Sequence, residues 1–400
     1  MTDTLTDATM ADDELLPWAD PEFCRAPWPW YDRMLVERPV AVMSDGTVVV
    51  SKYADVMEHL KNRSLVAEPL EGMGDSPWAA NLNSVLLTEG DRHTRIRRSF
   101  GSWFTPKMVA KWAQFAAQSA AEALDRMGPD GVIEGHRALG VQPAQDAMAY
   151  ILGIERADGF PYIHATNVTM ETMFGTDPED VRRANEAFGF MMFQADSLIA
   201  QKRANPGDGM LLDKLIEATD AGELSERELK ESVQILWGSA AHNPGQVMAA
   251  ALSDLASLPW VFDSYRSQPD RRDDIISEMI RRALPEVAVD RFATEPLQIR
   301  GVDVAVGTRV RFLLGAALRD PEVFANPDEF DYNRPPSASM ALAFGLGTHH
   351  CAGQALARAE ARAVLDVLAD RFSKVELVGE PVWVLTPRHR NCEGLTVRLS

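Results

Sequence analysis

The residues best suited to do chemistry fall in one run, Phe344-Gly345-Leu346-Gly347-Thr348-His349-His350-Cys351-Ala352-Gly353, continued by Gln354-Ala355-Leu356-Ala357-Arg358. Two glycines ahead of the cysteine permit backbone conformations and a close ligand approach that side chains would block. From Gly353 onward Leu356, Val364, Leu365, Leu368 and Phe372 recur at helical spacing, so Cys351 is expected at a helix N-terminus. Free N–H groups and the positive end of the helix dipole favour thiolate over thiol there, which makes a strong metal ligand. A lone cysteine is more often a buried small hydrophobe; the Phe, Gly, Gly, His and Gly around this one argue against that.

Two further runs carry polar groups at helical spacing. In Leu236-Trp237-Gly238-Ser239-Ala240-Ala241-His242-Asn243-Pro244-Gly245-Gln246-Val247 the small residues would let a backbone lie against a flat ligand. Pro244 has no N–H, so the carbonyl of Ala240 loses its helical partner and a kink is expected. His242 and the Asn243 amide are groups able to order water. In His93-Thr94-Arg95-Ile96-Arg97, His93 and Arg97 stand four apart, neighbours on a helix face and able to hold a carboxylate; the blander reading is a solvated basic face.

Helix dominates the elements that must position these groups. Periodicity marks helices over residues 27–37, through most of 91–255 with a break at Asn205-Pro206-Gly207-Asp208-Gly209, and over 353–372. β signals are few: residues 40–43 and 47–51 flank Ser44-Asp45-Gly46 as a hairpin, 302–314 hold another segment turning at Gly307, and 382–385 with 395–399 close the chain as a terminal hairpin. Residues 319–340, rich in Pro, Asn and Asp, are too long for an ordinary connection. The fold class is mainly α with a small β region. Residues 1–20 read as a flexible acidic tail and 21–400 as one domain.

Composition narrows the function classes. At 400 residues, 46% hydrophobic and 25% charged, the chain has a large core and is not disordered. A net charge of −19 repels nucleic-acid phosphates and anionic lipid. Cys24, Cys351 and Cys392 are too few and scattered for a disulfide framework, which suits a reducing cytosol. The acidic N-terminus lacks the pattern of a signal peptide, and no stretch reaches the roughly 18 apolar residues of a membrane span. A cytoplasmic chain is expected.

The run around Cys351 resembles the haem-binding loop of the cytochrome P450 family at every fixed position: Phe, Gly, any, Gly, any, His, any, Cys, any, Gly. The resemblance implies a helical prism enclosing haem b, with Cys351 as the proximal iron ligand whose thiolate favours O–O cleavage on the opposite face. Glu278-Met279-Ile280-Arg281 resembles the family's Glu-x-x-Arg, and Arg334 stands where an arginine joins that structural network. Arg291, ten residues after Arg281, resembles the propionate-binding arginine; His93, Arg97 and His349 complete that set, and Phe344 belongs to the cofactor loop. Ala240, Ala241, Val287 and Val289 would line the substrate, under a roof from residues 65–87 and Met170, Met173, Phe174, Phe188, Met191, Met192 and Phe193. Arg388, His389 and Arg390 lie in a terminal loop that often touches substrate in the family, with surface exposure the expected outcome.

The family's acid and hydroxyl, which relay protons to dioxygen, are replaced by Asn243 and Pro244, and neither can supply that relay. A proline here resembles two minority branches, peroxide-using fatty-acid hydroxylases and aromatic O-dealkylating enzymes. Asn243-Pro244-Gly245 is closer to the second. The implied reaction is hydroxylation or O-dealkylation of a small apolar, aromatic molecule. Since no flavin or nicotinamide fingerprint appears, electrons would come from a ferredoxin and its reductase, docked near Arg358 and Arg362. A hydrogen-peroxide-dependent peroxygenase and a non-catalytic haem-binding sensor are the alternatives.

Overall fold

The computed structural model describes residues 12–18, 20–69, 81–172 and 177–400, and the chain divides into two compact units. The first comprises Met1–Gly74, Leu284–Cys351 and Trp383–Asn391. The second comprises Asp75–Ala283, Ala352–Val382 and Cys392–Ser400.

The first unit is built on a five-stranded sheet. Val40–Val42 and Val48–Val50 form the expected hairpin, with Val40 opposite Val50. Arg309–Phe312 runs parallel to Val48–Val50, and Val289–Ala293 and Leu65–Val66 follow antiparallel. Val48, Val50, Val310 and Phe312 enter one apolar cluster, Ala41 and Val49 another with Phe23, Tyr31, Met34 and Leu35. Burial on both faces is why the strand reads Val-Val-Val instead of alternating. Arg311 is the exception, and its cross-strand partner Asp290 answers it at 2.8 Å and 3.0 Å. Burial opposes the charge on Asp290, but Arg311 beside it holds the carboxyl below its ordinary range.

Within the span read as an acidic tail, Leu15 and Leu16 are buried in the second cluster, and Asp12 accepts from Arg38 Nε (2.8 Å) and Val42 N (3.1 Å). Residues 12–18 are therefore packed, the Leu-Leu pair supplying an apolar anchor that the acidic composition masks; residues 1–11 lie outside the described residues. The terminal hairpin also differs from expectation. Val382–Leu385 pairs with Arg390–Gly394, because Thr386-Pro387-Arg388-His389 makes a tight turn in which Thr386 N donates to His389 O at 2.8 Å. Thr396–Leu399 lies instead between Val132–Glu134 and Val375–Leu377.

The second unit is helical: Gln142–Leu152, Phe160–Glu171, Pro178–Ala204, Leu211–Asp220, Arg272–Ala283 and Gln354–Arg371 pack on the long helix Glu226–Ser257, while Pro106–Asp125 packs on Gln142–Leu152 and Gln354–Arg371, and Gly90–Gly101 on Leu211–Asp220. The long helix opens with a capping box: Ser225 Oγ accepts from Glu228 N (3.2 Å), and Ser225 N donates to Glu228 Oε2 (2.8 Å). Arg95 grips the same carboxylate at 2.7 Å and 3.0 Å, and Arg92 adds a third bond, so Arg95 is not part of a merely solvated face. Burial resists ionisation of Glu228, but hydrogen bonds from Arg95, Ser225 and Arg92 prevail and bring its pKa down to about 2.

A folded-state pKa below the unfolded value of 4.5 means that this stabilisation is complete above about pH 4.5 and is lost as pH falls toward about 2. Glu228→Gln is expected to lower the unfolding free energy at pH 7 by about 2 kcal/mol. Urea unfolding should show the gap to wild type closing across that acid window, while Ser225→Ala, which removes only the cap, costs about 1 kcal/mol.

Candidate functional site

In the first unit the Cys351 loop is closed on itself. Cys351 N donates to Phe344 O (2.9 Å), Gly345 N to Leu342 O (3.0 Å) and His350 N to Gly347 O (3.2 Å). The loop takes this path because Gly345 and Gly347 adopt left-handed φ of +68° and +71°, which side-chain-bearing residues rarely accept. A Cβ at Gly345 would meet nothing nearer than His349 O at 3.9 Å, so that side of the loop is open. Cys351 is exposed, and the helix that follows starts at Gln354 with Gly353 as its cap. An exposed thiol three residues ahead of a helix, in a loop with side-chain-free backbone, fits thiolate ligation of a flat metal cofactor.

Phe344 and His349 in this loop are half-buried. Arg291 lies on the strand Val289–Ala293, its Nη1 donating to the Asp290 carbonyl at 2.8 Å. Val289 on the same strand is half-buried, whereas Val287 is a core residue, packed with Ala41, Val49 and Leu313. Arg334 braces the preceding loop by donating to the carbonyls of Ala325 (2.6 Å) and Asn326 (2.8 Å). The terminal loop is held rather than exposed: Arg388 pairs with Glu286 at 2.5 Å, His389 is buried, and Arg390 lies over Trp28 and Trp383 at 5.3 Å and 4.0 Å. Aromatic faces and a carboxylate offset the cost of drawing these charges inward.

In the second unit His93 and Arg97 stand one turn apart on Gly90–Gly101, His93 buried and Arg97 half-buried at 6.0 Å from the Phe100 ring. Glu278 and Arg281 form the expected pair, bidentate at 2.8 Å and 2.9 Å and both 2% exposed.

The long helix runs unbroken through Pro244. Ser239, Ala240, Asn243, Pro244 and Val247 form its open stripe, and Ala241 and His242 face inward. Ala241 is packed with Val141 and Ile163. The glycines expected to admit a flat cofactor serve protein packing. A Cβ on Gly238 would come within 2.9 Å of Tyr162 Cε1, and one on Gly245 within 2.8 Å of Val141 Cγ2. Facing Gly245 is Gly140 in a π-helical turn, His136–Val141, where a Cβ would lie 2.9 Å from the Gly245 carbonyl oxygen. The two backbones are in contact behind the proline.

His242, 2% exposed, has Asn243 Oδ1 at 2.9 Å from Nδ1 and Asn167 Oδ1 at 3.0 Å from Nε2. Asn167 and His136 are polar residues that the sequence reading passed over. The only signal was a histidine and an asparagine within otherwise apolar periodicity. Of the expected roof, Phe188, Met191 and Met192 are buried, while Phe193 is 65% exposed. Met173, Phe174 and residues 70–80 lie outside the described residues. Arg362 is engaged by Asp366 and Asp273, and Arg358 by Ser277, so both are partly neutralised or tied internally.

A helical protein with small sheets and a glycine-flanked cysteine ahead of a helix is the architecture of a haem-thiolate protein. The family model described as Cytochrome P450 matches residues 272–382. Cytochrome P450 107B1 of Saccharopolyspora erythraea is 30% identical over 319 residues, covering 78% of this chain and 76% of the relative. Cytochrome P450 monooxygenase PikC of Streptomyces venezuelae is 27% identical over 394 residues, covering 94% and 92%. Among solved structures, P450BioI in complex with an acyl carrier protein ligated to hexadec-9Z-enoic acid superposes with a TM-score of 0.85 at 24% identity over 94% of this chain and 99% of that one. Epothilone D-bound cytochrome P450epoK gives 0.85 at 23% identity over 96% and 98%. The chain belongs to the cytochrome P450 family. It is by class a monooxygenase whose cofactor is haem b held by a cysteine thiolate. No helix among the described residues is long and apolar enough to cross a membrane.

Gly140→Ala is expected to lower stability by about 1–3 kcal/mol, because the new methyl meets backbone that cannot rotate away. Gly189→Ala is the control: nothing lies within 4 Å of its Cβ, so it should be neutral or stabilising by up to about 1 kcal/mol in the same denaturation assay.

Proposed function

We propose that Cys351 is the thiolate that holds the haem, and that the chain mono-oxygenates an apolar small molecule using dioxygen and electrons from a ferredoxin system. The observation that carries this reading is the closed loop in which Cys351 N bonds Phe344 O while Gly345 and Gly347 turn left-handed. Bound there, the haem would supply activation of dioxygen at iron. The protein's part is positional. The loop presents one thiol and keeps side chains off the backbone beside it; His93, Arg97, Arg291 and His349 are the donors assigned to the propionates; Ala240, Asn243 and Pro244 stand on the open stripe of the long helix as the groups assigned to oxygen and substrate. Relatives whose structures hold epothilone D and a carrier-bound fatty acyl chain support an apolar substrate. O-dealkylation of an aromatic ether is the form of the reaction favoured by Asn243-Pro244-Gly245.

A second reading, use of hydrogen peroxide in place of dioxygen and reductant, is favoured by one feature: the open stripe carries an amide and a proline at Asn243 and Pro244 instead of an acid and a hydroxyl. Replacing both, Asn243→Asp with Pro244→Thr, separates the readings. The pair should lower peroxide-driven turnover and raise the fraction of reductant recovered in product; unchanged ratios would remove the argument that these positions govern proton supply.

Cys351→Ser is expected to abolish dioxygen-dependent turnover and to change the absorption spectrum of the haem-loaded protein, while Cys24→Ser and Cys392→Ser leave the spectrum as in wild type. An unaltered spectrum in the position 351 variant contradicts the assignment.

A further inference from the structure

Three bonds give the Cys351 loop its shape: Cys351 N to Phe344 O, Gly345 N to Leu342 O and His350 N to Gly347 O. All three join the loop to itself or to the helix Pro336–Ala343 that leads into it. They set its curvature, not its place in the first unit. Its place comes from another element of that unit, the helix Tyr53–His59.

That helix reaches the loop at both ends. At its first residue the Tyr53 hydroxyl donates to the Ala338 carbonyl at 3.1 Å, in the helix Pro336–Ala343. Past its last residue the Leu60 carbonyl lies against the loop, where a Cβ on Gly347 would stand 3.5 Å from the oxygen. Between these points Val56 and Leu60 on one side, and Leu342 with half-buried Ala338, Ala343 and Leu346 on the other, share one apolar cluster. The helix is itself fixed. The buried Asp320 carboxylate accepts from Tyr53 N (3.0 Å), one of the donors that a helix start leaves open, and from Lys52 Nζ (3.2 Å). The Tyr53 ring meets Phe324 edge-on at 5.8 Å, and burial pushes the phenol above its ordinary range, so it keeps the proton it donates.

We propose that the helix Tyr53–His59 is the outer bracket that seats the cysteine loop, and that Tyr53 is a positioning residue for the iron–sulfur bond. Its hydroxyl holds the helix from which Phe344 leads, and the Phe344 carbonyl in turn holds Cys351 N. The inference rests on the reading of Cys351 as the haem ligand given above. Val56 and Leu60 supply apolar adhesion, which is non-directional and tolerates sliding. The hydroxyl supplies a directional bond, which does not. That bond forms only while the helix Pro336–Ala343 is seated, so it biases the loop toward the position in which sulfur is presented to iron and away from one in which it has let go.

Tyr53→Phe tests this on the haem-loaded full chain, since it deletes the hydroxyl and keeps the ring on Phe324. In the ferrous carbonyl complex, haem that holds a thiolate and haem that has lost it absorb at different wavelengths, so the ratio of the two forms reads the seating of the loop. That ratio should shift toward the detached form by about fivefold, the weight of one net hydrogen bond. The iron should also become easier to reduce in a fixed redox buffer, because a loosened thiolate donates less charge to it. Ser225→Ala separates positioning from general destabilisation: it removes a helix cap in the second unit and should leave both readings at their wild-type values. Readings in Tyr53→Phe equal to wild type overturn the proposal, and so does a shift of the same size in Ser225→Ala. Failure of the underlying reading looks different. A wild-type carbonyl complex without thiolate absorption, or one that Cys351→Ser leaves unchanged, removes Cys351 as the ligand whatever Tyr53 does.

Discussion

A cysteine sulfur is useful as a metal ligand only if it is presented without steric cover, and here that presentation comes from backbone geometry. The Cys351 N–H bonded to Phe344 O closes the loop, and two left-handed glycines keep side chains off it. The next helix along the chain starts at Gln354, three residues after the cysteine. No single residue in this set is chemically unusual. What is specific is that a backbone conformation available almost only to glycine is used twice within three residues, the second of them four residues ahead of a cysteine.

The long helix divides its labour between two sides. Inward, Gly238 and Gly245 let Tyr162 and Val141 approach, and the contact of Gly140 with Gly245 brings a π-helical turn against the helix directly behind Pro244. A proline inside a helix leaves one carbonyl unanswered, and here the helix nevertheless continues to Ser257 because its neighbours pack it on both sides of the interruption. Outward, Ser239, Ala240, Asn243, Pro244 and Val247 form a stripe left wholly or partly open.

Much of this was legible in the sequence because the motifs are local. The Cys351 loop, the Asp-Gly hairpin, the Glu278–Arg281 pair and the run of helices follow from spacing and turn chemistry within a few residues. The failures share one cause, which is that pairing between distant segments leaves no local trace. Thr396–Leu399 pairs with strands 20 and more than 250 residues away in sequence, so its apolar alternation looked like half of a hairpin. Leu15 and Leu16 sit in an acidic stretch whose composition outweighs two leucines. Periodicity also cannot tell a glycine that admits a cofactor from one that admits a tyrosine, and Gly238 is the second kind.

The account turns on which atom binds iron. Iron-edge X-ray absorption of the haem-loaded protein carrying Cys24→Ala and Cys392→Ala, which leaves Cys351 as the remaining cysteine, addresses it directly. The account predicts one sulfur bonded to iron in that variant and none once Cys351→Ser is added; a nitrogen- and oxygen-only environment before the last substitution, or a sulfur that persists after it, would contradict it.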